Sequence, residues 1–140
     1  LLKREGPTTG VRVMSEKTAE ESVKMLRRVV LEGTATLGDV PGYEVAGKTG
    51  TADKPKKSGG YYKDKVVNTF ASMFPASNPQ YVLIVTLDEP QDDTLSETRR
   101  TAGWTAVPVA AEIIRRVAPL MGLRPKLEPV ATDAVTAASN

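Results

Sequence analysis

The apolar positions of this chain change period along its length. Between residues 15 and 33, Ala19, Val23, Leu26, Val29 and Val30 recur at helical spacing, lining one face. Ser15 or Thr18 can cap the start, Thr18 with Glu21 has the spacing of a capping box, and Gly33 stands where a C-terminal cap is expected. The stripe reads as core packing. After a loop at 34–42, broken by Gly38, Asp39 and Pro41, the pattern turns to strand: Tyr43 and Val45 alternate ahead of Gly47-Lys48-Thr49-Gly50-Thr51-Ala52. A Gly/Lys/Pro/Ser loop at 53–60 leads to a second strand at 65–74, a turn cluster at 75–79 and a third strand at 81–87. That third run is apolar on both faces, as in a strand buried between layers. The short connections predict an antiparallel meander. Residues 88–102 are polar and irregular. After Gly103 a second amphipathic helix sets Ala106, Ala110, Ile113, Ile114, Val117 and Leu120 on one face, with Pro108 acceptable in its first turn. Residues 1–13 read as an extended entry with a turn at Gly6-Pro7, and 123–140, rich in Pro, Ala and Thr, as a disordered tail.

Two helices and three strands make a thin structure for 140 residues, and an unpaired sheet edge is a liability. Further strands are therefore expected beside these, from sequence outside this chain. The first residues, Leu1-Leu2-Lys3-Arg4-Glu5-Gly6, lack both a Met and the apolar core of a signal peptide, so the chain is expected to begin inside a longer polypeptide.

Composition narrows the chemistry. Hydrophobic residues at 40% and charged residues at 26% fit one globular domain. Nineteen basic against seventeen acidic residues leave a net charge of +2, and no Lys/Arg stripe with interleaved aromatics points to nucleic acid. Lys54-Pro55-Lys56-Lys57 reads as a solvated loop. Cysteine and histidine are absent, which removes disulfides, thiolate metal sites and His-based triads; acid–base work would fall to Lys, Tyr, Asp or Glu. No cofactor or metal is expected. No apolar run reaches the roughly 18 residues needed to span a bilayer.

The informative segment is Gly47 to Ala52. Glycine inside a strand marks a bulge or a close approach by a ligand or another backbone. Lys48 and Gly50 share one face of such a strand, and Thr49 and Thr51 the other. A lone Lys-Thr-Gly triplet is weak evidence, but its surroundings extend the pattern. Gly42-Tyr43-Glu44-Val45-Ala46 precedes it, and Asn68-Thr69-Phe70-Ala71-Ser72-Met73-Phe74-Pro75-Ala76 follows. Then come Pro79-Gln80-Tyr81-Val82-Leu83-Ile84-Val85, Asp88-Glu89-Pro90 and Ala102-Gly103-Trp104-Thr105-Ala106-Val107-Pro108-Val109. Upstream, Met25-Leu26-Arg27-Arg28-Val29-Val30 and Gly33-Thr34-Ala35 fit as well. In this order, over roughly 11–122, the chain strongly resembles the C-terminal part of the transpeptidase domain of class B penicillin-binding proteins. The Asp88-Glu89-Pro90 ending is closer to the septal, division-type members. The Ser-x-x-Lys and Ser-x-Asn motifs that complete the family's site do not occur here. They are expected upstream of Leu1. Arg99-Arg100-Thr101-Ala102 replaces the family's usual second glycine and nearby aromatics.

The resemblance implies an α/β (α+β) transpeptidase fold, an antiparallel sheet flanked by helices, with residues 1–122 as a portion of that domain. It implies peptidoglycan D,D-transpeptidation through a serine acyl-enzyme, on the periplasmic side of a bacterial cytoplasmic membrane, with β-lactams as inhibitors and division proteins as partners. By resemblance, Lys48 would attract the substrate's terminal carboxylate and favour proton movement at the serine. Thr49 and Thr51 would hydrogen-bond that carboxylate, the Thr51 backbone N–H would be one oxyanion donor, and Gly50 would let the substrate backbone lie against the strand. Tyr61 and Tyr62 would border the cleft entrance, while Trp104 reads as a packing residue. The alternatives are a β-lactamase or carboxypeptidase, where water replaces the acceptor amine, and a non-catalytic scaffold with this fold. With its nucleophile elsewhere, the chain by itself is expected to be inert.

Overall fold

In the computed structural model, residues 10–91 and 99–126 are described. Helix α1 spans Glu16–Glu32, and its cap is Ser15, whose Oγ accepts from the Thr18 N–H at 3.1 Å. Thr18 is therefore the third helical residue rather than the cap, because Ser15 already satisfies that orphan N–H. At the other end the Gly33 N–H donates to the Val29 carbonyl at 3.1 Å. The apolar stripe of α1 is only partly covered: Val30 is buried, while Ala19, Val23, Leu26 and Val29 are intermediate.

A short 3-10 turn, Thr36–Gly38, leads toward strand β1, Ala46–Pro55. Tyr43 and Val45 are buried but lie before the strand, since Glu44 between them has φ +47° and breaks the extended path. Strands β2, Tyr61–Phe74, and β3, Tyr81–Asp88, complete an antiparallel meander in the order β1-β2-β3. Phe70 pairs with Thr49 on one side and Val85 on the other. Residues in register share a face, so Thr49, Thr51, Asn68, Phe70, Ser72, Leu83, Val85 and Leu87 point the same way.

That inner face carries the core. Phe70 and Val85 join Val30 and the buried side of helix α2, Ala106–Leu120, through Val107, Ala110, Ala111, Ile114 and Ala118. Pro108 sits in the first turn, as expected. Val117 and Leu120, expected on the packed face, are exposed instead, because the buried stripe runs through Ala111 and Ala118.

Past Ala46, which is buried, the outer face is open among the described residues. Val82 and Ile84 are 72% and 62% exposed, and Lys48, Gly50, Ala52 and Ala71 are exposed beside them. The third strand is thus buried on one face only in this chain, correcting the reading of a strand enclosed between two layers. At the tail, the Lys126 N–H donates to the Gly42 carbonyl at 2.9 Å and Leu123 packs against the core, so 123–126 lie along the Gly42 turn. The rest of the expected disordered tail, 127–140, and the entry segment up to residue 9 fall outside the described residues.

Candidate functional site

The Lys-Thr-Gly segment occupies the first half of β1, which is the edge of the sheet among the described strands. Gly47 is held closest. A Cβ there would stand 2.6 Å from the Ala71 carbonyl oxygen and 2.8 Å from the Phe70 ring. Only glycine lets β1 settle this tightly onto β2 and the core aromatic. Gly50 differs, since the nearest atom to a Cβ there would be the Thr69 carbonyl oxygen at 4.0 Å. Among the described residues nothing demands glycine at 50, and the space above it is open.

Lys48 and Gly50 face outward, as the strand period predicts. The Lys48 ammonium donates to the Thr49 carbonyl at 2.7 Å and lies 3.5 Å from the Thr49 hydroxyl. Thr49 and Thr51 are on the inner face, where each hydroxyl is engaged from behind. Thr49 Oγ1 is 2.7 Å from Thr34 Oγ1, and Thr51 Oγ1 accepts from the Ala102 N–H at 3.0 Å. A strand's N–H and C=O groups alternate in direction, so the Thr51 N–H points to the same side as the Thr49 carbonyl that Lys48 caps. The structure thus gathers Lys48, Thr49, Gly50 and Thr51 along one edge. The lysine and the two hydroxyls approach that edge from opposite faces.

Two groups absent from the sequence-based site hold it in place. Gly103 lies directly under the Thr34 loop, and a Cβ there would meet the Thr34 carbonyl oxygen at 2.5 Å. Asn68, the register partner of Thr51, is fully buried. Its Nδ2 donates to the Arg100 carbonyl at 2.8 Å and to Thr105 Oγ1 at 2.7 Å, which fastens the segment carrying Ala102 to β2. The signal for Asn68 was available: an amide at an inward position of a strand is depleted unless it has partners to satisfy. Thr34 had no such signal, since its role depends on a contact fifteen residues away.

Farther along β1 the means of attachment changes. Lys54 reaches Asp88 at 2.8 Å and Glu89 at 2.6 Å, and Lys65 reaches Glu89 at 3.0 Å. The basic run is therefore partly a strand end with ion pairs rather than wholly a solvated loop. The hydrogen bonds from Lys54 and Lys65 hold the Glu89 carboxyl below the usual carboxylate range, and donating to Asp88 and Glu89 raises Lys54. Tyr62 lies between the ammonium groups of Lys56 and Lys65, 5.4 and 5.3 Å from its ring centre, while Tyr61 is exposed. Trp104 is 45% exposed and carries the Arg99 guanidinium 3.6 Å from its ring centre. It is a half-open stacking surface rather than the packing residue expected.

Among the described residues no group of His, Cys, Asp and Glu could hold a metal ion, and no helix is long and apolar enough to cross a membrane.

Known proteins share this sequence and arrangement. Residues 3–115 match the family model of the penicillin-binding protein transpeptidase domain. The chain is 39% identical over 129 residues to a probable peptidoglycan D,D-transpeptidase FtsI of Caulobacter vibrioides, spanning 86% of this chain and 22% of that protein. It is 34% identical over 125 residues to the stage V sporulation protein D of Bacillus subtilis, spanning 89% of this chain and 18% of that one. Among solved structures, penicillin-binding protein 3 of Mycobacterium tuberculosis in complex with ampicillin superposes with a TM-score of 0.73 at 31% identity, over 91% of this chain and 29% of that one. The transpeptidase domain of FtsI4 from Legionella pneumophila gives 0.64 at 34% identity, over 73% of this chain and 35% of that one. This chain spans about a fifth of the length of the first two relatives. A match over most of the chain, with the same α+β fold, makes this chain a member of the penicillin-binding protein transpeptidase domain family.

Proposed function

We propose that this chain is the C-terminal part of a peptidoglycan D,D-transpeptidase of the division type, and that it supplies the substrate-binding strand of the site. The observation that carries the reading is the open edge of β1, where one ammonium, two hydroxyls and a side-chain-free Gly50 converge. An extended peptide with a terminal carboxylate suits such an edge. Its backbone can add alongside β1, its chain can pass over Gly50, and its carboxylate finds one cation and two hydroxyl donors.

In the reaction, a serine Oγ from sequence upstream attacks the penultimate D-Ala carbonyl of a stem peptide. The serine loses its proton, the carbonyl carbon becomes tetrahedral, and its oxygen takes up negative charge. The Thr51 N–H is one donor to that oxygen. Collapse breaks the peptide bond, and D-Ala departs with a proton on its amine. An amine of a second stem peptide then displaces the serine from the acyl-enzyme, forming the cross-link and restoring the hydroxyl. Lys48 lowers the cost of moving the serine's proton by placing positive charge beside it. The upstream segment with Ser-x-x-Lys and Ser-x-Asn, β-lactams and division proteins are the partners of this reading. The site of action in this reading is the periplasmic face of a bacterial cytoplasmic membrane.

Fluorescent penicillin tests it. The full domain, containing this chain and the sequence before it, should form a covalent adduct that survives a denaturing gel, while the 140-residue chain alone should not. An unlabelled full domain would sink the transpeptidase reading and favour a scaffold. Rapid turnover of the adduct by water would favour a β-lactamase or carboxypeptidase.

A further inference from the structure

Each of the two threonine hydroxyls on the edge strand is backed by a second group. Thr51 Oγ1 accepts from the Ala102 N–H, which has no lone pair and can only donate. Thr49 Oγ1 lies 3.5 Å from the Lys48 ammonium, likewise donor-only, and 2.7 Å from Thr34 Oγ1. A hydroxyl has one hydrogen and two lone pairs. When the groups behind it occupy its acceptor side, its own hydrogen is left to point at whatever occupies the edge. At Thr51 the Ala102 N–H takes one of the two lone pairs and leaves the hydroxyl hydrogen free to donate at the edge. At Thr49 either hydroxyl of the pair can donate to the other, so the direction depends on Thr34.

We infer that Thr34 is a positioning residue: its hydroxyl donates to Thr49 Oγ1 and turns the Thr49 hydrogen outward, so that the edge meets an anionic carboxylate with two hydroxyl donors. This rests on the transpeptidase reading and adds to it a device for preferring a carboxylate over an uncharged group. Thr34 touches no reacting atom. It is exposed, on the loop between α1 and the 3-10 turn, and is held there by Gly103, where any Cβ would strike the Thr34 backbone oxygen at 2.5 Å. Carboxylate preference is therefore linked to the loop that enters α2 as well as to β1.

The test compares acylation of the full domain by a penicillin with acylation by the methyl ester of the same penicillin, which lacks the anion. Thr34→Val keeps the side chain's shape and removes the hydroxyl. It should lower the second-order rate for the free acid by about tenfold, the scale of one hydrogen bond to a charged group, and leave the ester within about twofold. Thr34→Ser should restore the free-acid rate. Gly103→Ala, which displaces the loop while retaining the Thr34 hydroxyl, should reproduce the selective loss. Equal losses for acid and ester, or no loss in Thr34→Val while the wild-type domain acylates normally, would overturn the inference alone. A wild-type domain that reacts with neither compound would instead remove the transpeptidase reading beneath it.

Discussion

The two halves of β1 are anchored by different physics. From Ala46 to Thr51 the strand is held by packing and short hydrogen bonds: Gly47 against Phe70, Thr49 to Thr34, and Thr51 to Ala102. From Ala52 to Pro55 and on into the start of β2, it is held by exposed ion pairs among Lys54, Lys65, Asp88 and Glu89, and by cation–π contacts on Tyr62. Packing contacts and uncharged hydrogen bonds depend little on salt and tolerate little change in shape, whereas exposed ion pairs are screened within about 8 Å at physiological ionic strength. The site half therefore has one geometry, and the hairpin half can adjust with little cost to the fold. A candidate binding edge is thus rigid where chemistry is proposed and compliant at its entrance.

The most severe test of this contrast is chemical. Lys48→Ala in the full domain should slow β-lactam acylation by roughly 100-fold or more, the scale of losing one preorganised electrostatic contact. Lys48→Arg should keep part of the rate, because the charge remains while its geometry changes. Stopped-flow acylation measures both, and a wild-type rate in Lys48→Ala would leave the edge without a mechanistic role. Thr51→Ala should cost less than Lys48→Ala, since the backbone N–H stays in place.

Next comes stability. Gly47→Ala forces a Cβ into the Ala71 carbonyl and the Phe70 ring and should destabilise the domain by about 1–3 kcal/mol, the usual range for overpacking. Asn68→Ala leaves the Arg100 carbonyl and Thr105 hydroxyl without their buried donor and should cost about 1–3 kcal/mol. Denaturant unfolding of the full domain measures both losses. If either variant matched the wild type, the site half would not be packing-controlled.

The smallest effect is expected at the hairpin. Glu89→Gln should raise amide exchange around 54–65 without changing global unfolding, and added salt should narrow the difference from wild type. The pH dependence has a definite sign. Glu89 is depressed in the folded state, so its contribution is present above the ordinary carboxylate range near 4.5 and is lost as pH falls through the lowered folded value. Lys54 is raised, so its contribution is complete below 10.5 and is lost only as pH rises beyond that. Exchange in the hairpin that stayed flat on acidification would show that the ion pairs do not hold it.

Much of this was legible from residue order. Alternation between helical and two-residue periods located all five main elements, because each must bury an apolar face and that requirement is local. Strand alternation set Lys48 and Gly50 on one face and Thr49 and Thr51 on the other, while the resemblance of the surrounding residues to the transpeptidase family identified this segment as the candidate edge. The errors share a cause. Tyr81 to Leu87 carries apolar residues on both faces, but which of its faces is covered depends on what packs there. Among the described residues α2 and the inner core cover one face, leaving Val82 and Ile84 in the open. The helix face at Val117 and Leu120 went wrong likewise, since a small residue such as Ala118 can mark the closest approach as well as a large one can. Only the tertiary structure brought Thr34 to Thr49, Ala102 to Thr51 and Gly103 beneath Thr34. These are contacts between segments far apart in sequence, made by residues of ordinary type, and the period of a chain carries no record of them.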